Sequence, residues 1–120
     1  MMKKRILVVD DDSLNLARTK MILGEDYVVF MAESGMEALK KLRNEEIDMV
    51  LLDIDMPKMN GIETFERMKE FAADIPVIFL TASGLEDDVV SAIKLGAVNY
   101  LKKPFRPQEL LRRVAQELEK

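Results

Sequence analysis

Met49-Val-Leu-Leu-Asp53-Ile-Asp55-Met-Pro57 is the stretch on which the fold turns. Met49 to Leu52 is a short apolar run with no polar alternation, which suits a strand buried on both faces, as in a parallel sheet covered by helices. Similar runs recur outward from it at Ile6 to Val9, Tyr27 to Met31 and Val77 to Leu80, with a weaker one at Val98 to Leu101. Helical stretches lie between them. Leu14, Ala17, Met21 and Ile22 fall at i, i+3, i+7 and i+8 and are expected to form the buried face of the first helix, while Leu111, Val114, Ala115 and Leu118 repeat the stripe in the last. Ser34 with Glu37 and Ser83 with Glu86 have capping-box spacing, Gly24 and Gly96 stand where helices end, and Pro107 suits a first helical turn. The alternation predicts an α/β fold, a doubly wound five-stranded parallel sheet with right-handed crossovers.

The chain of 120 residues fits a single domain over 1–120. Its 48% hydrophobic and 33% charged residues suit a soluble globular protein that needs no disulfide or metal staple. Cysteine and histidine are both absent, which excludes disulfides, Cys/His zinc sites, thiol nucleophiles and a Ser-His-Asp triad. A formal charge of -4 argues against direct nucleic-acid binding, which lives on basic residues. The apolar runs are strand-sized, so neither a membrane span nor a signal peptide is expected, and the expected location is cytoplasmic.

In a doubly wound sheet, ligands bind beyond the carboxyl ends of the strands. Asp10, Asp11 and Asp12 follow the first strand, Asp53 and Asp55 the third, Thr81 the fourth and Lys103 the fifth. Acids after strands often cap the next helix, which would account for Asp12 or Asp55 alone but not for the lysine. If the first and third strands are neighbours, Asp10, Asp11 and Asp53 converge and repel one another unless a cation or proton intervenes. A few oxygen ligands without a full protein cage suggest Mg²⁺. Calcium fits less well, since Pro57 stands where an EF-hand loop beginning at Asp53 needs Asp or Asn. A lysine and a threonine facing such a cluster complete a pocket for a tetrahedral dianion, with one carboxylate as the nucleophile of an acyl phosphate. Nucleotide binding falls behind, because the five glycines have neither GxGxxG nor GxxxxGK[ST] spacing.

The motifs Ile6-Leu-Val-Val-Asp10-Asp11-Asp12, Met49-Val-Leu-Leu-Asp53-Ile-Asp-Met-Pro57-Lys-Met-Asn-Gly61, Phe79-Leu-Thr81-Ala82 and Tyr100-Leu-Lys-Lys103-Pro104-Phe105 together resemble the receiver domains of two-component response regulators. The resemblance covers essentially the whole chain and implies a flavodoxin-like receiver fold with strand order 2-1-3-4-5. It implies Asp53 as the phosphoacceptor, Asp11 and Asp53 as direct Mg²⁺ ligands, Asp10 as a ligand through water, and the main-chain carbonyl of Asp55 as a further one. Thr81 and Lys103 would each take a phosphoryl oxygen. Thr81 and Tyr100 would form the switch, and the Lys103-Pro104 bond would be cis, which proline makes accessible. The lifetime of the phosphoryl group is left open by the side chains at Asp55 and Ser83.

The resemblance implies a phosphorylation-dependent signalling switch that takes its phosphoryl group from a sensor histidine kinase or a histidine phosphotransfer protein. Such a chain catalyses its own phosphorylation and dephosphorylation but is primarily a signalling protein. Its expected output face, on the fourth predicted helix, the fifth strand and the fifth predicted helix, includes Lys94, Lys102 and Arg106 and would meet a downstream output protein or domain, or a second copy in a homodimer. Arg106, Arg112 and Arg113 near the last helix could meet an acidic partner or a symmetry mate, although exposed basic residues on a last helix are more often simply solvated. The chain reads as a stand-alone receiver or as the receiver of a longer regulator. Two alternatives are an aspartate phosphohydrolase of haloacid-dehalogenase type, suggested by the Asp53 and Asp55 pair, and a degenerate receiver used only for binding.

Overall fold

The computed structural model describes residues 2–82, 93–94 and 96–119. Its elements are β1 (Arg5–Val9), α1 (Ser13–Leu23), β2 (Val28–Ala32), α2 (Gly35–Asn44), β3 (Met49–Asp53), α3 (Gly61–Met68), β4 (Val77–Thr81), β5 (Asn99–Lys102) and α4 (Pro107–Leu118). The fourth predicted helix, with its cap at Ser83 and Glu86, lies outside the described residues except for Ile93 and Lys94, so the label α4 is given to the last of the predicted helices. The strands form one parallel sheet in the order β2-β1-β3-β4-β5. Val9 therefore lies between Ala32 on one side and Leu52 on the other, and the chain reverses its winding between β1 and β3. That reversal is the crevice where a doubly wound sheet takes its ligand.

Alternation along the strands divides the core in two. Leu7, Val9, Val50, Leu52, Val77 and Phe79 pack with Ala38, Leu39 and Leu42 of α2 and with Phe65 and Met68 of α3. Ile6, Val8, Met49, Leu51, Ile78, Leu80 and Leu101 pack on the opposite face with Leu16 and Leu23 of α1 and with Leu110 and Val114 of α4. Both faces of β3 and β4 are buried along their whole length, as the apolar runs that fill all but their last positions require. Phe65 meets Phe79 edge to face with ring centroids 5.3 Å apart.

The strands carry their ends further than the apolar runs do, because backbone pairing continues into the polar residues. Asp53 and Thr81 are the last residues of β3 and β4, whereas β2 and β5 each sit one residue later than their apolar runs. The first helix departs more sharply from expectation: α1 buries Leu16, Thr19 and Leu23, leaving Leu14 and Met21 at 67% and 81% exposure. The predicted stripe shares Ile22 with the real one but is otherwise rotated away from the core, since Leu16, Thr19 and Leu23 have the same helical spacing and Thr19 disguises it.

Helix starts follow local chemistry. Asp12 caps α1 by accepting from the N–H groups of Leu14 and Asn15 at 2.9 and 3.3 Å. Ser34 accepts from Glu37 N–H at 3.1 Å, but the Glu37 carboxylate takes the N–H of Glu33 rather than closing the box on Ser34. A full capping box forms instead at Asn60 and Glu63, at the start of α3. Pro107 opens α4 and Gly24 follows α1, both as expected. Gly96 has a φ of +106°, and the Lys103-Pro104 bond is cis.

Gly61 ties α3 to the end of β3. Its N–H donates to the carbonyl of Ile54 at 2.9 Å, and a Cβ at this position would collide with the carbonyl of Asp53. Gly61→Ala is therefore expected to displace the end of β3 and cost about 1–3 kcal/mol, measured by urea unfolding, with the Asp53 amide among the most shifted NMR signals. An unperturbed Asp53 amide would show that the loop absorbs the methyl group without involving the strand.

Candidate functional site

Strand parity brings three charged side chains to one place. Asp10 continues the series Ile6, Val8; Asp53 continues Met49, Leu51; Lys103 follows Leu101, all on the face packed by α1 and α4. β1 and β3 are neighbours, so Asp10 and Asp53 end adjacent strands, both almost fully buried. The Lys103 ammonium bridges them, with Nζ 2.7 Å from Asp10 Oδ2 and 3.3 Å from Asp53 Oδ2. The other oxygen of each carboxylate turns back to its own chain: Asp10 Oδ1 accepts from Asp12 N–H at 3.0 Å and Asp53 Oδ1 from Asp55 N–H at 3.1 Å. Asp11 is exposed, yet carboxylate oxygens of Asp10, Asp11 and Asp53 lie within 4.8 Å of one another.

This crowding sets the electrostatics. Burial, opposed by Lys103 and reinforced by Asp10, pushes Asp53 up to about 6. Burial pulls Lys103 down, but its bond to Asp10 and the charges of Asp53 and Asp10 outweigh that and leave it above its ordinary value. Three carboxylates and a single bridging lysine leave the site rich in hard, anionic oxygen, the donor chemistry that suits a divalent cation. Asp12, spent on its helix cap, stands apart from this cluster, and the Asp55 side chain is exposed.

Thr81 is buried at the end of β4 and is bound through its backbone to the lysine loop, its carbonyl accepting from Lys103 N–H at 2.8 Å. Tyr100 pairs with Phe79 across β4 and β5, and Phe79 and Thr81 share a sheet face, so Tyr100 is the diagonal neighbour of Thr81 on that face. It is 39% exposed. A cavity of about 440 Å³ opens beside the acidic edge, between α1 and the loop after β5, lined by Asp10, Asn15, Arg18, Thr19, Lys103 and Phe105 among others. Asn15, Arg18 and Thr19 escape the sequence reading because the assumed face of α1 was turned; the Leu16, Thr19, Leu23 spacing is the signal that would have placed them.

Residues 6–115 match the family of response regulator receiver domains. The chain is 43% identical over 111 residues to the response regulator SaeR of Staphylococcus aureus, an alignment covering 91% of this chain and 48% of that protein. The chain thus spans about half the length of the relatives it matches. Among solved structures, a CheY-like receiver domain protein from Methanospirillum hungatei superimposes with a TM-score of 0.93 at 36% identity, covering 98% of this chain and 94% of that one. DrrB of Thermotoga maritima, an OmpR/PhoB homolog, superimposes at 0.89 with 33% identity, over 98% of this chain and 54% of its own.

The raised Asp53 value has a consequence for the metal-free protein. Against 3.8 when unfolded, a folded value of about 6 means that the folded state binds more protons in between, so stability is greater below that window and falls as pH rises through it. In EDTA at pH 7, Asp53→Asn is expected to stabilise the protein by on the order of 1–2 kcal/mol in urea unfolding and to flatten the slope across the window. A variant less stable than its parent would show that Lys103 more than compensates the buried charge.

Proposed function

The chain belongs to the response regulator receiver domain family, and on that premise we propose that it is a phosphorylation-dependent signalling switch whose acceptor is Asp53. The observation that carries this assignment is the Lys103 bridge to a buried Asp53 at the winding reversal of the sheet. A sensor histidine kinase or histidine phosphotransfer protein supplies the phosphoryl group, since the chain has no histidine of its own to act as donor. Asp53 Oδ2 attacks phosphorus in line, the new O–P bond forms as the N–P bond breaks, and the electron pair leaves with the imidazole nitrogen. Lys103, already within reach of Oδ2, pairs with a phosphoryl oxygen, and the Thr81 hydroxyl takes another.

Asp10, Asp11 and Asp53, with the Asp55 main-chain carbonyl, would hold Mg²⁺. When bound, the ion neutralises charge spread over the phosphoryl oxygens and lets the crowded carboxylates coexist ionised. The proposed unit covers residues 1–120 and acts in the cytoplasm; none of the described helices is long and apolar enough to cross a membrane. Its output face is β5 with α4 and the segment before β5, where Lys94, Lys102 and Arg106 are exposed. That face meets an output domain, a separate partner or a second copy. A hydrolase reading loses support, because the proteins matched are response regulators.

An acyl-phosphate donor should label the protein with Mg²⁺ and not in EDTA. Asp53→Asn should abolish labelling, because an amide is no nucleophile. Lys103→Ala and Thr81→Ala should fold and retain reduced labelling while losing the associated amide shifts at Tyr100. Hydroxylamine-sensitive phosphate persisting in Asp53→Asn would move the acceptor, with Asp55 the first residue to test.

A further inference from the structure

β5 ends the sheet order, so one side of this strand faces no other strand among the described residues. Strand neighbours direct their N–H and C=O groups to opposite sides alternately. Lys103 N–H points to β4, where it donates to Thr81 O, and Tyr100, three residues earlier, presents both its backbone groups to the open edge. Water would ordinarily satisfy them. Here side chains do: Tyr100 N–H donates to Asn99 Oδ1 at 2.9 Å, and Arg113 Nη1 donates to Tyr100 O at 2.9 Å.

The same Nη1 also donates to Asn99 Oδ1 at 2.6 Å, closing a ring around the Tyr100 backbone. Both arms are anchored in α4. Asn99 Nδ2 donates to the buried Glu117 carboxylate at 3.1 Å, and Glu109 grips the other side of the guanidinium, at Nε 3.0 Å and Nη2 2.9 Å. A planar, charged fork held on two sides fixes direction as well as distance. α4 is thereby bonded to the backbone of Tyr100, the diagonal neighbour of Thr81.

We infer that Asn99 and Arg113 are positioning residues that clamp the Tyr100 backbone and carry its response into α4, an inference that rests on the reading of Tyr100 as the switch. The clamp makes Tyr100 turn about a held backbone, so a change at Thr81 reaches α4 through Arg113 and Glu117 rather than being lost in a loose edge strand. The residues that form it lie outside the phosphoryl site, and they connect it to the face proposed for output.

The test compares amide shifts of the whole chain with Mg²⁺ alone and with Mg²⁺ plus beryllium fluoride, a phosphoryl mimic. The parent protein is expected to respond at Asp11 and Asp53, at Tyr100 and along α4. Arg113→Lys keeps the cation but not the planar fork, and Asn99→Leu removes both amide groups. Each should preserve the response at Asp11 and Asp53 and reduce that of α4 to less than about half, and the double variant should lose little more than the deeper single, as members of one device do. Should Asn99→Leu fail to fold, Arg113→Lys decides alone. An α4 response retained in full, even with a lowered melting temperature, would make the clamp a mere edge cap and overturn the inference. A parent protein with no shifts beyond Asp11 and Asp53 would instead overturn the switch reading, and the clamp with it.

Discussion

Asp53 is a carboxylate at 4% exposure on the central strand of the sheet, with a second buried acid, Asp10, beside it. Two such charges are costly to leave uncompensated: removing the partner of a buried ion typically destabilises by about 3–5 kcal/mol. Lys103 supplies the compensation to both. It does so incompletely, since Asp53 is still pushed up to about 6 by burial. On the proposed reading, the residual excess of negative charge is what would make the edge receptive to a cation and, with that cation, to a dianion.

The fold can be understood as a means of delivering that arrangement. Parity puts Asp10, Asp53 and Lys103 on one sheet face, and the order β1-β3-β4-β5 puts their strand ends within one lysine's length of each other. The loop after β3 must then leave without disturbing Asp53. The loop 54–60 ends in the Asn60 and Glu63 capping box that starts α3, and Gly61 lets the first turn of that helix lie against the Asp53 carbonyl. Asp12 starts α1 directly after Asp10 and Asp11. Capped helix starts hold both exits in place without recruiting the clustered acids.

Strand positions were legible because runs such as Met49 to Leu52 and Val77 to Leu80 are buried on both faces and contain no polar residue to confuse the reading. Their ends were less so, because hydrogen bonding along a parallel pair takes no account of whether the next residue is Leu or Asp. Strand order is a long-range property to which no local pattern in this chain speaks; it came from the resemblance of the four strand-end motifs. The α1 face was misread for a related reason: a buried threonine, Thr19, stands in the true stripe, while Leu14 and Met21 are apolar yet exposed. The edge ring of Asn99, Arg113 and Glu117 was hidden altogether, since its partners are 14 and 18 residues apart and polar, which reads as ordinary surface.

On the proposed reading an event at Asp53 reaches a distant face, and charge alone would not explain it. Phosphorylation adds roughly two negative charges, but solvent-exposed charges are largely screened beyond about 8 Å at physiological salt, and the lysine side chain is long enough to re-aim its ammonium without moving its backbone. Packing behaves differently. Thr81 is buried, in register with β5 and bonded through its carbonyl to Lys103, so a shift of its hydroxyl toward the phosphoryl group changes occupied volume in a close-packed interior. Interiors of that density do not tolerate a void smoothly; they adopt one arrangement or the other. On the proposed reading Tyr100, the partly exposed diagonal neighbour of Thr81, would fill such a space. On the proposed reading, electrostatics therefore sets which state is favoured, by differential affinity for the phosphoryl group, and packing around Thr81 and Tyr100 sets what the two states are.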